Sequence, residues 1–178
     1  MPRGSSRYPV KPTLIIDTRE KPGNRLFDER SKAATNFKEV KVEKVDAGDY
    51  TIKDIPNLIV IEKKQDGKEL YGNCILKKDT FMRAIERMRA FKHKYIIIQQ
   101  TYDEFLDPKN WAPIPFQKRF AMIAMVESWL ISLSQTENIH FVFASKKSAP
   151  RMAMKILLKT YEWERKRFMR LDKESNND

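Results

Sequence analysis

The sequence predicts an α/β fold, a mixed β-sheet of about six strands flanked by helices on both faces. Three observations carry that prediction. Consecutive apolar residues, many of them β-branched, recur in short runs such as "TLIID", "NLIVI" and "YIII", which suit strands covered on both sides. Segments with helical apolar spacing alternate with strands in the second half of the chain. Turn signals in "KPGN", "AGD" and "DIPN" divide the N-terminal part into short pieces.

Residues 1–12, "MPRGSSRYPVKP", have little to bury and read as a flexible segment. "TLIIDTRE" is a buried strand that stops in a charged turn from Asp17 to Glu20. A helix is expected through "FDERSKAATNF". "EVKVEKV" alternates apolar and polar, the period of a half-covered strand. "AGDYTI" turns into another strand and "NLIVIEKK" follows it, so the first strands should form a hairpin-like meander. "DGKELYGNCIL" and "DTFMRAIERMRAFK" read as helices, the second with Phe81, Ile85, Met88 and Phe91 on its apolar stripe. "YIIIQQ" is a fifth strand, and "TYDEFLDPKNWAPIP" a Pro-punctuated excursion. "FQKRFAMIAMVESWLISLSQ" is apolar nearly all round, which calls for a buried helix or a subunit contact. "IHFVFA" is a sixth strand, and "APRMAMKILLKTYEWERKRFM" a last helix with Pro150 near its start. No repeat or linker divides the chain, so residues 13–170 read as one domain, with 171–178 a frayed tail.

Composition narrows the function. The chain has 178 residues, 41% of them hydrophobic, enough for a sizeable core. No run approaches the roughly 18 apolar residues a membrane span needs, and the N-terminus lacks a secretory signal. One cysteine, Cys74, excludes an internal disulfide framework and fits a reducing compartment. The expected location is intracellular, in a prokaryotic or virus-infected cytoplasm or a nucleus. Two histidines and one cysteine argue against a zinc site of nitrogen and sulfur ligands. Thirty-five Lys and Arg against 24 acids give a net charge of +11, the footprint of a chain that meets polyanions. The excess gathers towards the C-terminus, interleaved with Met, Leu, Tyr and Trp as on folded helices. Charge kept for solubility alone is the plainer alternative.

Four acids fall at strand ends or in adjoining turns: Asp17, Glu20, Asp49 and Glu62. Two carboxylates about 4 Å apart repel by about 4 kcal/mol at an effective dielectric near 20. Several in one pocket require protons, a cationic partner or a metal. All-oxygen ligands favour Mg²⁺ or Mn²⁺. Glu62 and Lys64 point to the same side of their strand. A carboxylate that holds metal beside a lysine that orients or activates water suits attack on a phosphodiester. A solvated Glu-Lys-Lys is the commoner meaning of such a strand end; the upstream Gly-Asp shifts the balance towards a site.

The ordered set "IIDTRE", "AGDYTI" and "IVIEKK" resembles the nuclease domain of the xeroderma-pigmentosum-group-F (XPF) family of structure-specific endonucleases. The resemblance continues through "DTFMRAIERMRAFKHKYIII" and "SLSQTENIHFVFASKKSAPRMAMKILLKTYE", and covers residues 13–165. It implies the restriction-endonuclease-like, PD-(D/E)XK fold and Mg²⁺- or Mn²⁺-dependent hydrolysis of branched, flapped or nicked duplex DNA. By position it makes Asp49, Glu62 and Lys64 catalytic, and Asp49, Glu62, Asp17 and Glu20 the metal set. Lys63 and Glu69 join Asp17 and Glu20 as support. Arg19, Lys63, Arg83, Arg87, Lys146, Lys147 and Arg151 would meet DNA. Resemblance and the apolar helix together imply a homodimer, with neither membrane nor small-molecule substrate. Three positions depart from the family pattern. Lys63 replaces an Arg and Thr80 replaces an Arg; Lys68 replaces an Asp, for which Asp66 or, preferably, Glu69 would compensate. The family's helix-hairpin-helix motifs are absent, so the chain reads as a standalone nuclease or a fragment. Two rivals stand beside this reading: a catalytically degenerate DNA-binding module, and a junction resolvase or duplex nickase. Elsewhere, His93 reads as a surface residue at a helix end and His140 as a core histidine. Trp129, with Phe120, Met122, Met125 and Val126, reads as core or dimer contact; Tyr71 and Trp111 are left without a DNA role.

Overall fold

The computed structural model describes residues 9–27 and 31–174. Six strands form one mixed sheet: β1 (Thr13–Asp17), β2 (Glu39–Glu43), β3 (Tyr50–Ile52), β4 (Ile59–Lys64), β5 (His93–Ile98) and β6 (Ile139–Phe143). Their spatial order is β2-β1-β3-β4-β5-β6. β1, β3 and β4 run antiparallel in turn, as a meander should. The expected hairpin from β1 to β2 does not form. β2 lies outside the meander and parallel to β1, because the chain crosses over between them. β4, β5 and β6 are parallel neighbours joined by helical connections.

The helices are α1 (Gly67–Tyr71), α2 (Lys78–Met88), α3 (Tyr102–Leu106), α4 (Phe116–Glu137) and α5 (Ala149–Glu174). A π-helical segment, Gly72–Leu76, continues α1. The helix expected over residues 27–37 is absent from its described part, which holds only a 3-10 turn at Ala34–Asn36. Residues 28–30 lie outside the described residues. Thr35 and Asn36 donate side-chain hydrogen bonds to the carbonyls of Lys32 and Ala33, a local alternative to the helical ladder. Phe27 and Phe37 meet edge to face, closing this segment over the core. α3 was hidden in the Pro-punctuated excursion, and a capping box from Thr101 to Glu104 starts it.

Strand alternation separates two cores. Ile59 and Ile61 of β4 face α5, where Ala149, Ala153, Leu157 and Tyr161 recur every four residues. Val60 faces α1, α2 and α4 on the other side. α4 buries Ile123, Val126, Leu130 and Leu133 but leaves Phe116, Phe120, Met125 and Ile131 exposed. Its nearly all-round apolar character is thus one buried face and one uncovered face. Trp111 is core, its indole N–H donating to Phe105 O. His140 is not core: it is exposed on the edge strand, its ring 5.0 Å from that of Tyr95. His93 opens β5 rather than ending a helix, with Nε2 3.6 Å from Glu164 Oε1. The N-terminal stretch is tied down from Pro9, whose carbonyl accepts from the Tyr161 hydroxyl; residues 1–8 lie outside the described residues. α5 extends to Glu174, so residues 171–174 are helical where fraying was expected, and 175–178 lie outside the described residues. Among the described residues, no helix is long and apolar enough to cross a membrane.

Ile97 is fully buried between β4 and β6. Ile97→Ala should cost about 2–5 kcal/mol in urea unfolding, whereas exposed Val10→Ala should change stability by under about 0.5 kcal/mol.

Candidate active site

Gly48 sets the geometry. Its φ of +69° is in the left-handed region, and a Cβ there would stand 2.3 Å from Val60 Cγ2 and 3.0 Å from Ile61 O. Only glycine fits so close to β4 in that conformation. The turn delivers Asp49 to the strand end, where its N–H donates to Ile61 O and its Oδ2 accepts from Lys63 N at 2.7 Å. The β3–β4 pairing sets Tyr50 against Ile61, so one step further places Asp49 beside Glu62. Both lie on the same face of the sheet, by alternation from Tyr50 and Ile61.

Lys64, two residues beyond Glu62, returns to that face. Its side chain is only 7% exposed, with Nζ 2.7 Å from Glu62 Oε1 and 3.4 Å from Glu69 Oε1. Burial pulls the Lys64 pKa down, but Glu62, Glu69 and Asp49 outweigh it and hold the ammonium protonated, above its ordinary value. Asp49 is driven the other way. Burial first, then the charge of Glu62, pushes its carboxyl up to about 8 despite the Lys63 N–H bond. Glu69 thus stands beside Lys64. Lys68 points elsewhere, with Nζ donating to Ala112 O at 3.2 Å and 3.9 Å from Asp66.

The other acids are engaged. Asp17, fully buried, accepts from Arg19 N and Nε through Oδ1, and from Arg19 Nη2 and Val45 N through Oδ2. Burial raises its pKa, but these bonds prevail and hold the carboxyl below its ordinary value. Glu20 Oε2 takes Lys63 Nζ at 2.7 Å and the Tyr50 hydroxyl at 3.2 Å. Lys63 therefore acts on the opposite face of β4 from Lys64, bracing the loop after β1. Tyr50 also accepts from Leu26 N, and burial pushes its hydroxyl pKa up. Sequence reading passed over this tyrosine, although it directly follows the Gly-Asp pair.

Of the four acids expected to hold metal, Asp17 is bound by Arg19 and Glu20 by Lys63. Among the described residues, no three or more His, Cys, Asp or Glu side chains are grouped to hold a metal ion. Asp49 and Glu62 remain as a hard oxygen pair, and among the described residues Asp49 Oδ1 and Glu62 Oε2 accept no hydrogen bond. A Mg²⁺-sized ion that keeps most of its waters needs only one or two carboxylates, so the pair fits one.

Basic residues surround this end of the sheet. Arg19 is 61% exposed yet fixed by Asp17 and Val45 O, and it lies within electrostatic reach of Asp49 and Glu62. Arg87 Nε donates to Asp46 O and pins the loop before Gly48, while Arg83 Nη2 donates to Thr80 Oγ1. Lys146, Lys147 and Arg151 are exposed where the chain passes from β6 into α5.

No protein-family model matches the chain, and no curated protein matches it by sequence. Solved structures of XPF from Aeropyrum pernix do match its architecture. One aligns with TM-score 0.54 and 15% identity, over 86% of this chain and 61% of that one. Another, XPF from the same organism in complex with DNA, aligns with TM-score 0.52 and 16% identity, over 84% and 64%. The fold is that of XPF. The present chain spans a little over three-fifths of the XPF chains it matches. In this XPF-like fold the charged end of β4 is where both chemical and basic residues converge.

An acid held up near 8 opposes folding once it ionises. Stability of the metal-free protein should therefore fall as pH rises from 3.8, the ordinary carboxyl value, to about 8. Asp49→Asn should flatten that fall and gain about 1–3 kcal/mol at pH 8. Urea unfolding in EDTA at pH 5 and pH 8 checks this; the same pH dependence in parent and variant would reject the assignment.

Proposed function

We propose that the protein is a divalent-metal-dependent DNA endonuclease acting on branched, flapped or nicked duplexes. One observation carries the reading: Asp49 and Glu62 sit side by side at a strand end, with the protonated Lys64 bound to Glu62. Two adjacent acids, one held neutral near pH 7 by the other and by burial, form an electrostatic vacancy for a cation. The net charge of +11 and the XPF-like fold support DNA as the polyanion.

Asp49 and Glu62 would hold Mg²⁺ or Mn²⁺, which when bound adds positive charge at the phosphoryl group and acidifies a water ligand. Lys64, already protonated, cannot take a proton from water; it donates hydrogen bonds, orients the nucleophile and offsets charge on the attacked phosphate. Glu69 keeps Lys64 in place. Arg19 adds positive potential beside the carboxylates, and Asp17 fixes its fork. Lys146, Lys147, Arg151, Arg83 and Arg87 supply phosphate contacts around the site.

One observation favours a DNA-binding module without catalysis: no third metal-binding side chain joins Asp49 and Glu62 among the described residues. Cleavage decides between the two. Glu62→Gln and Asp49→Asn should lower hydrolysis of branched DNA by on the order of a hundredfold or more in Mg²⁺ or Mn²⁺, with affinity unchanged or higher. Lys64→Ala should lose cleavage and bind slightly less well. Equal cleavage by parent and Glu62→Gln would refute the site; no cleavage by the parent would favour the binding module.

The uncovered apolar face supports a homodimer. Phe116, Phe120 and Ile131, at 54%, 60% and 59% exposure, fall on one side of α4, the helix that packs on the edge strand β6. Light scattering at tens of micromolar protein should report a dimer, and Phe120→Glu should shift it to monomer. A monomeric parent would remove this assembly.

A further inference from the structure

A polar cleft of about 470 Å³ opens where β4, β5 and β6 end, bounded by the start of α1 and the β6–α5 loop. Its floor adjoins the candidate site: Gln65 follows Lys64 directly, and Gln99 N donates to Lys64 O at 2.8 Å. Three lysines line it, Lys68, Lys146 and Lys147, the first with Nζ donating to Ala112 O. Among the described residues Lys146 and Lys147 have no ion-pair partner, and the Gln65 and Gln99 side chains make no hydrogen bond. The two acids in the wall are engaged, Asp66 partly by Lys68, whose Nζ stands 3.9 Å from Oδ2. Asp66 Oδ1 caps α1 through Glu69 N, and Glu104 Oε2 accepts from Thr101 N and Oγ1.

Two lysines without an ion-pair partner, a third on the same wall and two unengaged amides offer more donors than the engaged carboxylates take up, which suits a tetrahedral oxyanion that accepts several hydrogen bonds. Lys64 lies one residue from the cleft wall at Gln65, so the two places adjoin at the end of β4. We propose that the cleft is a subsite for one backbone phosphodiester of DNA, neighbouring the linkage presented to Lys64. This rests on the DNA-cleaving reading for its ligand, and it adds a register point: a phosphate seated here fixes which linkage reaches the carboxylates.

The test is a binding scan in EDTA, where no hydrolysis intervenes. Flapped duplexes carry a single neutral methylphosphonate at successive positions through the branch point, and parent is compared with Lys68→Ala/Lys146→Ala/Lys147→Ala. In the parent, one position should weaken binding about tenfold. The triple variant should bind all-phosphate DNA about tenfold less well, with no further loss at that position. Its slope of log affinity against log salt should be shallower by about 0.9, the value for one phosphate. A slope change near 2.7, as for three separate phosphates, would overturn the subsite. So would a parent with no sensitive position, or a variant that keeps the parent's profile. A parent that does not bind DNA overturns both the subsite and the proposed function. One that shows the sensitive position yet cleaves nothing in Mg²⁺ overturns only the nuclease reading.

Discussion

β4 is covered on both faces and still ends in Glu62, Lys63 and Lys64, and burying those charges is the constraint around which this end of the molecule is built. An unpaired ammonium away from water is destabilised by several kcal/mol. Strand alternation sends Lys63 and Lys64 to opposite faces, so each needs its own partners. Lys63 finds Glu20 and Asn24 O, which fastens the loop after β1 over one side of the sheet. Lys64 finds Glu62 and Glu69, which fastens α1 over the other. Two connecting segments are thereby anchored by the termini of a single strand.

On the α1 face one acid more is buried than Lys64 compensates, and that acid is held protonated near pH 7. Lys64 compensates Glu62, while Asp49, brought in by the Gly48 turn, faces burial and a like charge that outweigh the Lys63 N–H and the charge of Lys64. Structural ion pairs tend to be closed, with each charge matched. This one is open by one carboxylate, which is a reservoir of strain that a cation would relieve. Asp17 shows the contrast within one protein: four N–H donors satisfy it, and it serves as an anchor for Arg19.

The sheet distributes its other surfaces so that they do not collide. Basic and polar groups gather at the ends of the parallel strands β4 to β6, next to the carboxylates. Uncovered apolar residues lie on α4, which packs on the edge strand β6. A long polyanion and an apolar partner would meet different parts of the molecule, each with the chemistry it requires.

Local sequence by itself determined most of the elements, because apolar period and turn residues act over a few positions. The six strands, α2, α4 and α5 follow from that, as does the shared side of Glu62 and Lys64, which two-residue alternation dictates. Only tertiary structure decided where β2 sits, since parallel placement outside β1 depends on a long crossover that no local pattern records. The same holds for the segment before β2, where side-chain bonds to backbone replaced the helix its composition suggested. It also placed His140 on an edge, since an apolar strand is exposed or covered according to what packs on it. Within the candidate site, alternation grouped Glu62 with Lys64, but the charges of Asp17, Glu20 and Lys63 were divided by partners distant in sequence. Arg19 captured one acid and Lys63 another, leaving Asp49 beside Glu62. Ion pairing is settled by distance in space, and the folded sheet alone supplies those distances.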